Sequence, residues 1–396
     1  MKTSWQTRLI HTEAKPLAST FRSLSTPVYR ASTVLFEHAA DATDEWDQHE
    51  VGYTYGLYGT PTTLELAARV CELEQGYRTI ITAGGQGAIS LIHLALLRAG
   101  DHVLLPESIY GPNRSLAGRV LRRFGVEVSY YPPEAGAGIA QHMRANTRLV
   151  WCESPGSITM EIQDVSAIAR AVHGYQAGQG EEQRPLVVLD NTWSAGVYFD
   201  AFAHGVDVTM QALTKYEGGH SDLLLGSVTV RDPQLYQRLG VTHQVLGCAA
   251  SPDDCSLALR GLKTMAVRLR AVEQSALELA RWLAARPEVE RVLHPALPSC
   301  PGHEFWKRDF TGSTGLFSFV FQPRYKKEQV LAFVDALQLF KIGYSWGGVA
   351  SLVMAYDLQS PKRPAYGSRL VRFYTGLESI EDLKADVEQA LRVLSS

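Results

Sequence analysis

The sequence predicts an α/β fold in which a mainly parallel, doubly wound sheet is followed by a smaller α+β domain. From about residue 62, short apolar segments alternate with segments of helical periodicity. The apolar segments are continuous, as expected of parallel strands that are buried on both faces. After a long helical segment at residues 251–287, a second series of strand and helix patterns begins. These observations predict three parts, residues 1–61, 62–256 and 257–396.

Residues 1–61 are predicted to form an N-terminal arm. They contain many turn-forming residues, the acidic stretch DATDEWDQHE and the aromatic, glycine-rich stretch VGYTYGLYGTPTT. No periodicity marks an independent domain here, so the arm must pack on another surface.

Residues 62–256 are predicted to carry the larger sheet. The segments TTLELAARVCELEQ and GAISLIHLALLRAG have helical spacing and flank the short strand RTIITA. The other predicted strands are DHVLLP, VEVSYYP, TRLVWCE, RPLVVLD, DVTMQALT and LLLGSVTV. The polar segment HGYQAGQGEEQRP is predicted to be a surface loop.

Residues 257–396 are predicted to form the C-terminal domain, with strands GLFSFVFQ and RLVRFYTGL. The long helix at its start is a natural bridge between the two domains, which places the boundary near residue 257.

Composition excludes several function classes. The chain has 38 basic and 41 acidic side chains, with a net charge of -3 and no long run of either sign. Neither a nucleic-acid footprint nor a membrane segment is expected, so a small molecule is the predicted partner. The five cysteines form no CxxC pair, and the twelve histidines lack the spacing of a zinc site. We therefore expect reduced thiols, a cytoplasmic location and no metal.

Three side chains stand where predicted strands end. In an α/β sheet, ligands bind beyond the carboxyl ends of the strands. Asp190 ends VVLD, Glu153 ends LVWCE, and Lys215 follows MQALT. A lysine at such a position can be an edge residue whose stem covers apolar surface, or a desolvated amine with a lowered pKa that acts as a nucleophile.

The residues around Lys215 match the needs of pyridoxal phosphate. This cofactor requires a lysine, a carboxylate for the pyridine nitrogen, a phosphate cradle and an aromatic ring for stacking. Asp190 supplies the carboxylate, and Gly85 and Gln86 open a predicted helix with free backbone amides. Tyr110 follows a strand and can stack. Each residue alone also fits a turn, a cap or simple packing, but their order along one sheet favours the cofactor.

Several motifs resemble the Cys/Met-metabolism family of fold-type-I pyridoxal phosphate enzymes. TKYEGGHSD is similar to the family's lysine motif and LDNTWSAGVYF to its pyridine-aspartate segment. ESPGSITMEIQDV has the family's form, with Ser157 where many relatives carry asparagine. YSWGG, which contains Ser345 and Trp346, resembles the bacterial β-lyase branch. The resemblance extends from YGLYGTPT to RLVRFYTGLE and implies the fold-type-I transferase fold.

The resemblance also implies roles for individual residues. Lys215 would hold the cofactor and later remove the Cα proton, and Asp190 would stabilise the protonated pyridine. Arg372, in RLVRF, would clamp the substrate α-carboxylate. Ser345 and Trp346 would contact the substrate.

The remaining implied roles concern the cofactor phosphate and ring. Tyr110 would stack on the ring, and Tyr55 would reach the phosphate of a neighbouring subunit and take part in catalysis with Tyr110. The residues implied to contact the phosphate are Gly85, Gln86, Thr214 and Tyr55. A residue donated between subunits implies a homo-oligomer, expected as a tetramer built from active dimers. The family's usual arginine two residues after Tyr55 is replaced by Leu57.

The reaction implied by the resemblance is carbon–sulfur β-elimination, in which L-cystathionine and water give L-homocysteine, pyruvate and ammonia. A broader cysteine-S-conjugate β-lyase or cysteine desulfhydrase would use the same residues. A γ-lyase or synthase is disfavoured by Pro112, where methionine γ-lyase carries cysteine, and by Thr54, where such relatives often carry a carboxylate. A catalytically silent relative that binds the cofactor and a partner protein is a further alternative, although Lys215, Asp190 and Arg372 are all present.

Overall fold

A computed structural model describes residues 4–10, 24–175, 184–358 and 366–395. The predicted surface loop at residues 173–185 lies mostly outside the described residues. Within these ranges the α-helices are α1 Trp5–Ile10, α2 Gln48–Val51, α3 Pro61–Glu74, α4 Gly85–Leu96, α5 Gly111–Arg119, α6 Val165–His173, α7 Pro233–Leu246, α8 Pro252–Ala284, α9 His303–Asp309, α10 Lys327–Ala336 and α11 Ile380–Leu391. The strands are β1 Arg78–Thr82, β2 His102–Pro106, β3 Glu127–Tyr131, β4 Thr147–Glu153, β5 Leu186–Asp190, β6 Val208–Gln211, β7 Gly226–Val230, β8 Val289–Leu293, β9 Leu316–Phe321, β10 Lys341–Ile342, β11 Leu352–Leu358 and β12 Gly367–Tyr374.

The larger sheet has seven strands in the order β1-β7-β6-β5-β4-β2-β3 among the described residues. The pairs from β6 to β3 are all parallel, whereas β7 runs antiparallel to both of its neighbours. Helices cover both faces, because the strands are apolar on both sides and must be buried on each. The predicted mainly parallel, doubly wound sheet is confirmed.

The strand before Lys215 is shorter than the sequence pattern predicts. DVTMQALT predicts a strand up to residue 214, but β6 ends at Gln211. The backbone N–H of Ala212 donates to the hydroxyl of Thr192 instead of to the ladder, and the N–H of Lys215 donates to the carbonyl of Ala212. These bonds turn the chain away from the sheet, so Lys215 lies in a turn beyond the strand.

The smaller sheet has five strands in the order β10-β11-β12-β9-β8. Its core is rich in phenylalanine, with Phe317, Phe319 and Phe373 fully buried. Helix α8 connects the two parts of the molecule, because its first half packs in the core of the larger sheet and its second half in this phenylalanine core. The domain boundary predicted near residue 257 falls inside α8 and stays a prediction.

Segments that are far apart in the sequence meet at one edge of the larger sheet. Glu153 and Asp190 are register partners at the carboxyl ends of β4 and β5. Helix α4 begins at the same edge after β1, and the segment between β10 and β11 reaches it from the smaller sheet. Among the described helices, none combines the length and the hydropathy needed to cross a membrane.

Candidate active site

Lys215 lies in a tight turn that the smaller sheet holds in place. Its Nζ atom donates a 2.5 Å hydrogen bond to the Oγ of Ser345 and lies 5.2 Å from the centre of the Trp346 ring. A Cβ atom at Gly347 would lie 2.8 Å from the Cα of Lys215, so only glycine allows this approach of the two backbones. The predicted site residues Lys215, Ser345 and Trp346 are therefore in direct contact.

The pKa of the Lys215 amine is lowered from 10.5 to about 8. Burial is the main cause because it disfavours the charged amine, and the nearby charge of Arg372 adds to the effect. The carboxylate of Asp190 opposes both by stabilising the ammonium. At neutral pH this amine is a far better nucleophile and base than an exposed lysine.

Asp190 ends β5 and is fixed by the residue two positions later. Its Oδ1 accepts hydrogen bonds from the backbone N–H of Thr192 at 3.0 Å and from the Thr192 hydroxyl at 2.5 Å. Burial raises the pKa of Asp190, although these hydrogen bonds and the charge of Lys215 lower it. The oriented carboxylate is suited to hold a protonated ring nitrogen.

Tyr110 and Glu153 are linked across two neighbouring strands. The Oε2 of Glu153 accepts a 2.8 Å hydrogen bond from the backbone N–H of Tyr110. Tyr110 comes directly before α5 and has 40% of its surface exposed. Its ring is therefore available for stacking, while its backbone is fixed by the hydrogen bond to the Glu153 carboxyl group.

Arg372 is a buried guanidinium on β12, with 7% of its surface exposed. Its Nη1 donates to the carbonyl of Ser157 at 3.2 Å, and its Cζ lies 5.2 Å from the centre of the Tyr356 ring. In the pairing of β11 with β12, Met354 lies opposite Arg372 and Tyr356 lies opposite Leu370. Residues two positions apart on a strand point to the same face, so Tyr356 and Arg372 share one face of the sheet. Among the described residues no carboxylate forms an ion pair with Arg372, so its guanidinium is available to bind an anionic group.

The start of α4 forms a close-packed cradle. A Cβ atom at Gly85 would lie 2.7 Å from the Cβ of Ala212, so glycine is needed where the helix start meets the turn before Lys215. The first N–H groups of α4, including that of Gln86, have no partner in the preceding turn of a helix and favour an anion. The Thr214 hydroxyl, by contrast, exchanges 3.1 Å hydrogen bonds with the backbone of Leu225.

Among the described residues, the Tyr55 side chain has a ring contact with Tyr58 but no hydrogen bond or ring contact with Lys215, Asp190 or Tyr110. Its ring contacts Tyr58 at a centroid distance of 5.8 Å, and 42% of its surface is exposed. Leu57 is half-buried and lines a small cavity of about 40 Å³ together with Trp46 and Tyr236. The predicted roles of Tyr55 and of the Leu57 position toward the phosphate stay predictions.

Sequence reasoning assigned no role to Glu153 or Tyr356. Glu153 was recognisable as a strand end, but its contact with Tyr110 depends on how β4 is placed in the sheet. Tyr356 belongs to the strand LVMAYDL, in which nothing in the sequence pattern distinguishes it from a packing residue. Each of them contacts a residue that sequence reasoning did select, since Glu153 accepts a hydrogen bond from Tyr110 and Tyr356 packs against Arg372.

The donor set fits pyridoxal phosphate. The site combines a half-buried amine of lowered pKa, an oriented carboxylate, a glycine-lined helix start and a buried cation without an anionic partner among the described residues. The amine would meet the aldehyde of the cofactor, the carboxylate its ring nitrogen and the helix start its phosphate. The cation would meet a carboxylate of the substrate. Lys215, Asp190, Tyr110 and the start of α4 would hold the group.

Comparisons with known proteins agree with this chemistry. The sequence profile of the Cys/Met metabolism PLP-dependent enzyme family matches residues 6–392. A Rhizobium johnstonii protein with a provisional assignment as cystathionine β-lyase is 44% identical over 379 residues, covering 94% of this chain and 92% of the relative. Cystathionine β-lyase MetC of Escherichia coli is 39% identical over 376 residues and covers 93% of both chains.

The fold is also found in a solved structure. The crystal structure of metB from Corynebacterium glutamicum superposes with a TM-score of 0.87 at 30% sequence identity, covering 99% of this chain and 98% of that one. The predicted family, fold class and cofactor are confirmed by these comparisons.

Proposed function

The chain belongs to the Cys/Met metabolism PLP-dependent enzyme family, and from this premise we propose that it cleaves L-cystathionine into L-homocysteine, pyruvate and ammonia. The observation that carries the proposal is the direct contact of the Lys215 amine with Ser345 and Trp346. The curated relatives named cystathionine β-lyase, which are similar over almost the whole chain, support it.

Substrate orientation rests on Arg372. Its buried guanidinium is suited to bind the α-carboxylate, because a planar fork of donors matches the two carboxylate oxygens. The carbonyl of Ser157 and the face of Tyr356 fix the direction of the fork. A substrate held there presents its Cα to the neighbouring Lys215 amine.

Lys215 performs the proton transfers. Its neutral amine takes the proton from Cα, the Cβ–S bond breaks, and the sulfur leaves with the bonding electrons and accepts a proton. When bound, pyridoxal phosphate supplies an electron sink for the charge that develops at Cα. Asp190 would support this role by holding a proton at the ring nitrogen. Water then converts the remaining three-carbon fragment to pyruvate and ammonia.

Purified protein tests the proposal. We expect L-cystathionine to yield equal amounts of pyruvate and homocysteine, measured by a lactate dehydrogenase assay and by a thiol reagent. Lys215→Ala should lose the absorbance of covalently bound cofactor and essentially all elimination. Substantial pyruvate from a homogeneous Lys215→Ala preparation, or none from the wild type, would contradict the assignment.

A broader lyase acting on S-alkyl cysteines is a second candidate. Three aromatic side chains, Tyr344, Trp346 and Tyr356, lie near Lys215 and Arg372 and offer apolar surface to a thioether. Comparing kcat/KM for cystathionine, cystine and S-ethylcysteine separates the two, since a cystathionine lyase should prefer cystathionine by at least an order of magnitude.

We also propose a homo-oligomer, a tetramer of active dimers, in which Tyr55 enters the neighbouring site. Exposed apolar side chains on the arm, among them Leu35 and Val51, support a surface that another copy covers. Mixing Lys215→Ala with Tyr55→Ala subunits should restore activity if Tyr55 acts across the interface, because one hybrid site then contains both residues. Absence of restoration in a hybrid shown to form would place Tyr55 in its own subunit's site.

The domain division at residues 61 and 256 and a cytoplasmic location belong to the same proposal. The unpaired state of all five cysteines supports a reducing compartment.

A further inference from the structure

Glu153 is a buried carboxyl group that the proposed reaction does not use. It has 6% of its surface exposed and ends β4. Its Oε2 accepts the N–H of Tyr110 at 2.8 Å, while its own N–H donates to the Oε1 of Gln163 at 2.9 Å. The backbone and the side chain of Glu153 are thus both fixed, and the side chain in turn positions the backbone of Tyr110 at the start of α5.

Glu153 stands beside a second carboxyl group, that of the half-buried Asp190. Asp190 is its register partner on the adjacent parallel strand, so both side chains leave the sheet on the same face. Two neighbouring carboxylates in a largely buried site disfavour each other's ionisation, because each raises the cost of the other's charge. This favours a proton on one of the two groups.

The surroundings decide which group keeps the proton. Asp190 accepts two hydrogen bonds from Thr192 and lies in the field of the Lys215 ammonium, both of which favour its charged form. In the described part of the chain, the side chain of Glu153 has a neutral backbone amide as its hydrogen-bond donor and forms no ion pair. An unpaired buried carboxylate is costly, so the proton belongs on Glu153.

We propose that Glu153 is a neutral positioning residue that fixes Tyr110 and leaves Asp190 as the ionised carboxylate that would face the cofactor's ring nitrogen. This inference rests on the proposed roles of Tyr110 and Asp190. Burial and the neighbouring charge of Asp190 also raise the pKa of Glu153 well above its usual range. A neutral acid supports the stacking residue without competing for the proton of the ring nitrogen.

Two matched variants test the proposal. Glu153→Gln keeps an acceptor for the Tyr110 N–H and is neutral at every pH. We therefore expect kcat/KM to stay within about threefold of the wild type and the visible circular dichroism of the bound cofactor to stay unshifted. Glu153→Leu has similar volume but leaves the Tyr110 N–H without a partner, so Tyr110 should shift and kcat should fall about 10-fold, because a small displacement of a group at the site lowers the rate strongly. The cofactor dichroism should weaken as Tyr110 loses its fixed position.

The pattern of the two variants decides the outcome. A Gln variant as impaired as the Leu variant would show that the charge of Glu153 is needed, and a Leu variant identical to the wild type would show that Tyr110 needs no such support. Either result overturns the proposal. The dichroism of the holoenzyme requires no substrate, so it tests Glu153 even if cystathionine proves to be the wrong substrate.

Discussion

The Nζ atom of Lys215 lies 2.5 Å from the Oγ of Ser345, although the two residues are 130 positions apart in the chain. Ser345 belongs to the segment between β10 and β11, so this hydrogen bond joins the turn after the larger sheet to the smaller sheet. Ser345 adopts a φ of 79°, which is uncommon for a residue with a side chain. The fold thus holds an accepting hydroxyl in a sparsely populated backbone conformation directly at the reactive amine.

The pH dependence of cofactor incorporation should report the environment of Lys215. Only the neutral amine attacks a carbonyl, and burial together with Arg372 lowers the pKa of Lys215 to about 8. We expect the rate of covalent incorporation into apoprotein to rise with pH and to level off above about pH 8 rather than near 10.5. Rapid-mixing absorbance spectroscopy measures this rate.

Ser345→Ala provides the comparison for that profile. Loss of the hydroxyl removes a group that accepts a hydrogen bond from the ammonium, so the pKa of Lys215 should fall further and the plateau should begin at lower pH. A plateau that stays in place would show that the hydroxyl does not stabilise the charged amine.

Arg372→Leu should weaken substrate capture while the cofactor stays bound. Removing a desolvated, charged contact costs about 2–5 kcal/mol, so kcat/KM for cystathionine should fall by roughly 30-fold to several thousand-fold. The absorbance of the covalently bound cofactor should remain, since Lys215 is intact. Steady-state kinetics and the visible spectrum together check both expectations.

A matched control lies on the same strand. Arg369 also belongs to β12 but pairs with Glu290, away from the site. Arg369→Leu should therefore leave kcat/KM nearly unchanged. If Arg372→Leu were equally harmless, another group would have to bind the α-carboxylate.

Gly347→Ala should disturb the turn that contains Lys215. A Cβ atom there would lie 2.8 Å from the Cα and carbonyl carbon of Lys215, and the φ of 89° is unfavourable for any residue with a side chain. One of the two segments must move, so we expect kcat to fall at least 10-fold, because a displacement of about 1 Å can cost two orders of magnitude. Gly343→Ala, whose Cβ would first meet the side chain of Leu352 at 3.5 Å, should have little effect.

The sequence predicted which strand ends carry the chemistry but not how these ends meet. Asp190 could be placed because an apolar strand stops at a carboxylate, and periodicity sufficed to find it. The contact of Lys215 with Ser345 depends on the packing of two sheets, which no local pattern encodes. The predicted length of β6 is wrong because the N–H of Ala212 donates to the Thr192 hydroxyl and not to a neighbouring strand. This tertiary hydrogen bond overrides the strand propensity of the segment.

Leu57→Arg should hold the cofactor at least as tightly as the wild type. The guanidinium would offer the phosphate a charge-assisted hydrogen bond worth about 1.5–3 kcal/mol if its side chain reaches the site. Retention after dialysis, followed by absorbance, measures the effect. Leu331→Arg, on an exposed residue of α10 in the smaller domain, is the control. Weaker retention with an intact fold would show that Leu57 serves as a wall of the cavity beside Trp46.

Glu217→Gln should stabilise the protein at alkaline pH. Glu217 is buried two residues after Lys215, and its Oε1 has no hydrogen-bond partner among the described residues. Burial raises its pKa from 4.5 to about 8, and the charge of Glu74 adds to this effect. Because the folded state holds this proton more tightly than the unfolded state, the stability that the protonated group contributes is complete below about pH 4.5 and is lost as pH rises toward 8.

Thermal unfolding of holoenzyme at pH 6 and pH 9 checks this sign. Glutamine imitates the protonated acid, so the variant should gain less in Tm at pH 6, where only part of this stability is lost, and several degrees more at pH 9, where the wild type must bury a carboxylate or take up a proton. Glu134→Gln, on an exposed residue, should show the same small difference at both pH values. A Glu217→Gln variant whose advantage is equal at both pH values would mean that the nearby guanidinium of Arg268 keeps Glu217 ionised throughout, since it is the cation whose charge lowers this pKa.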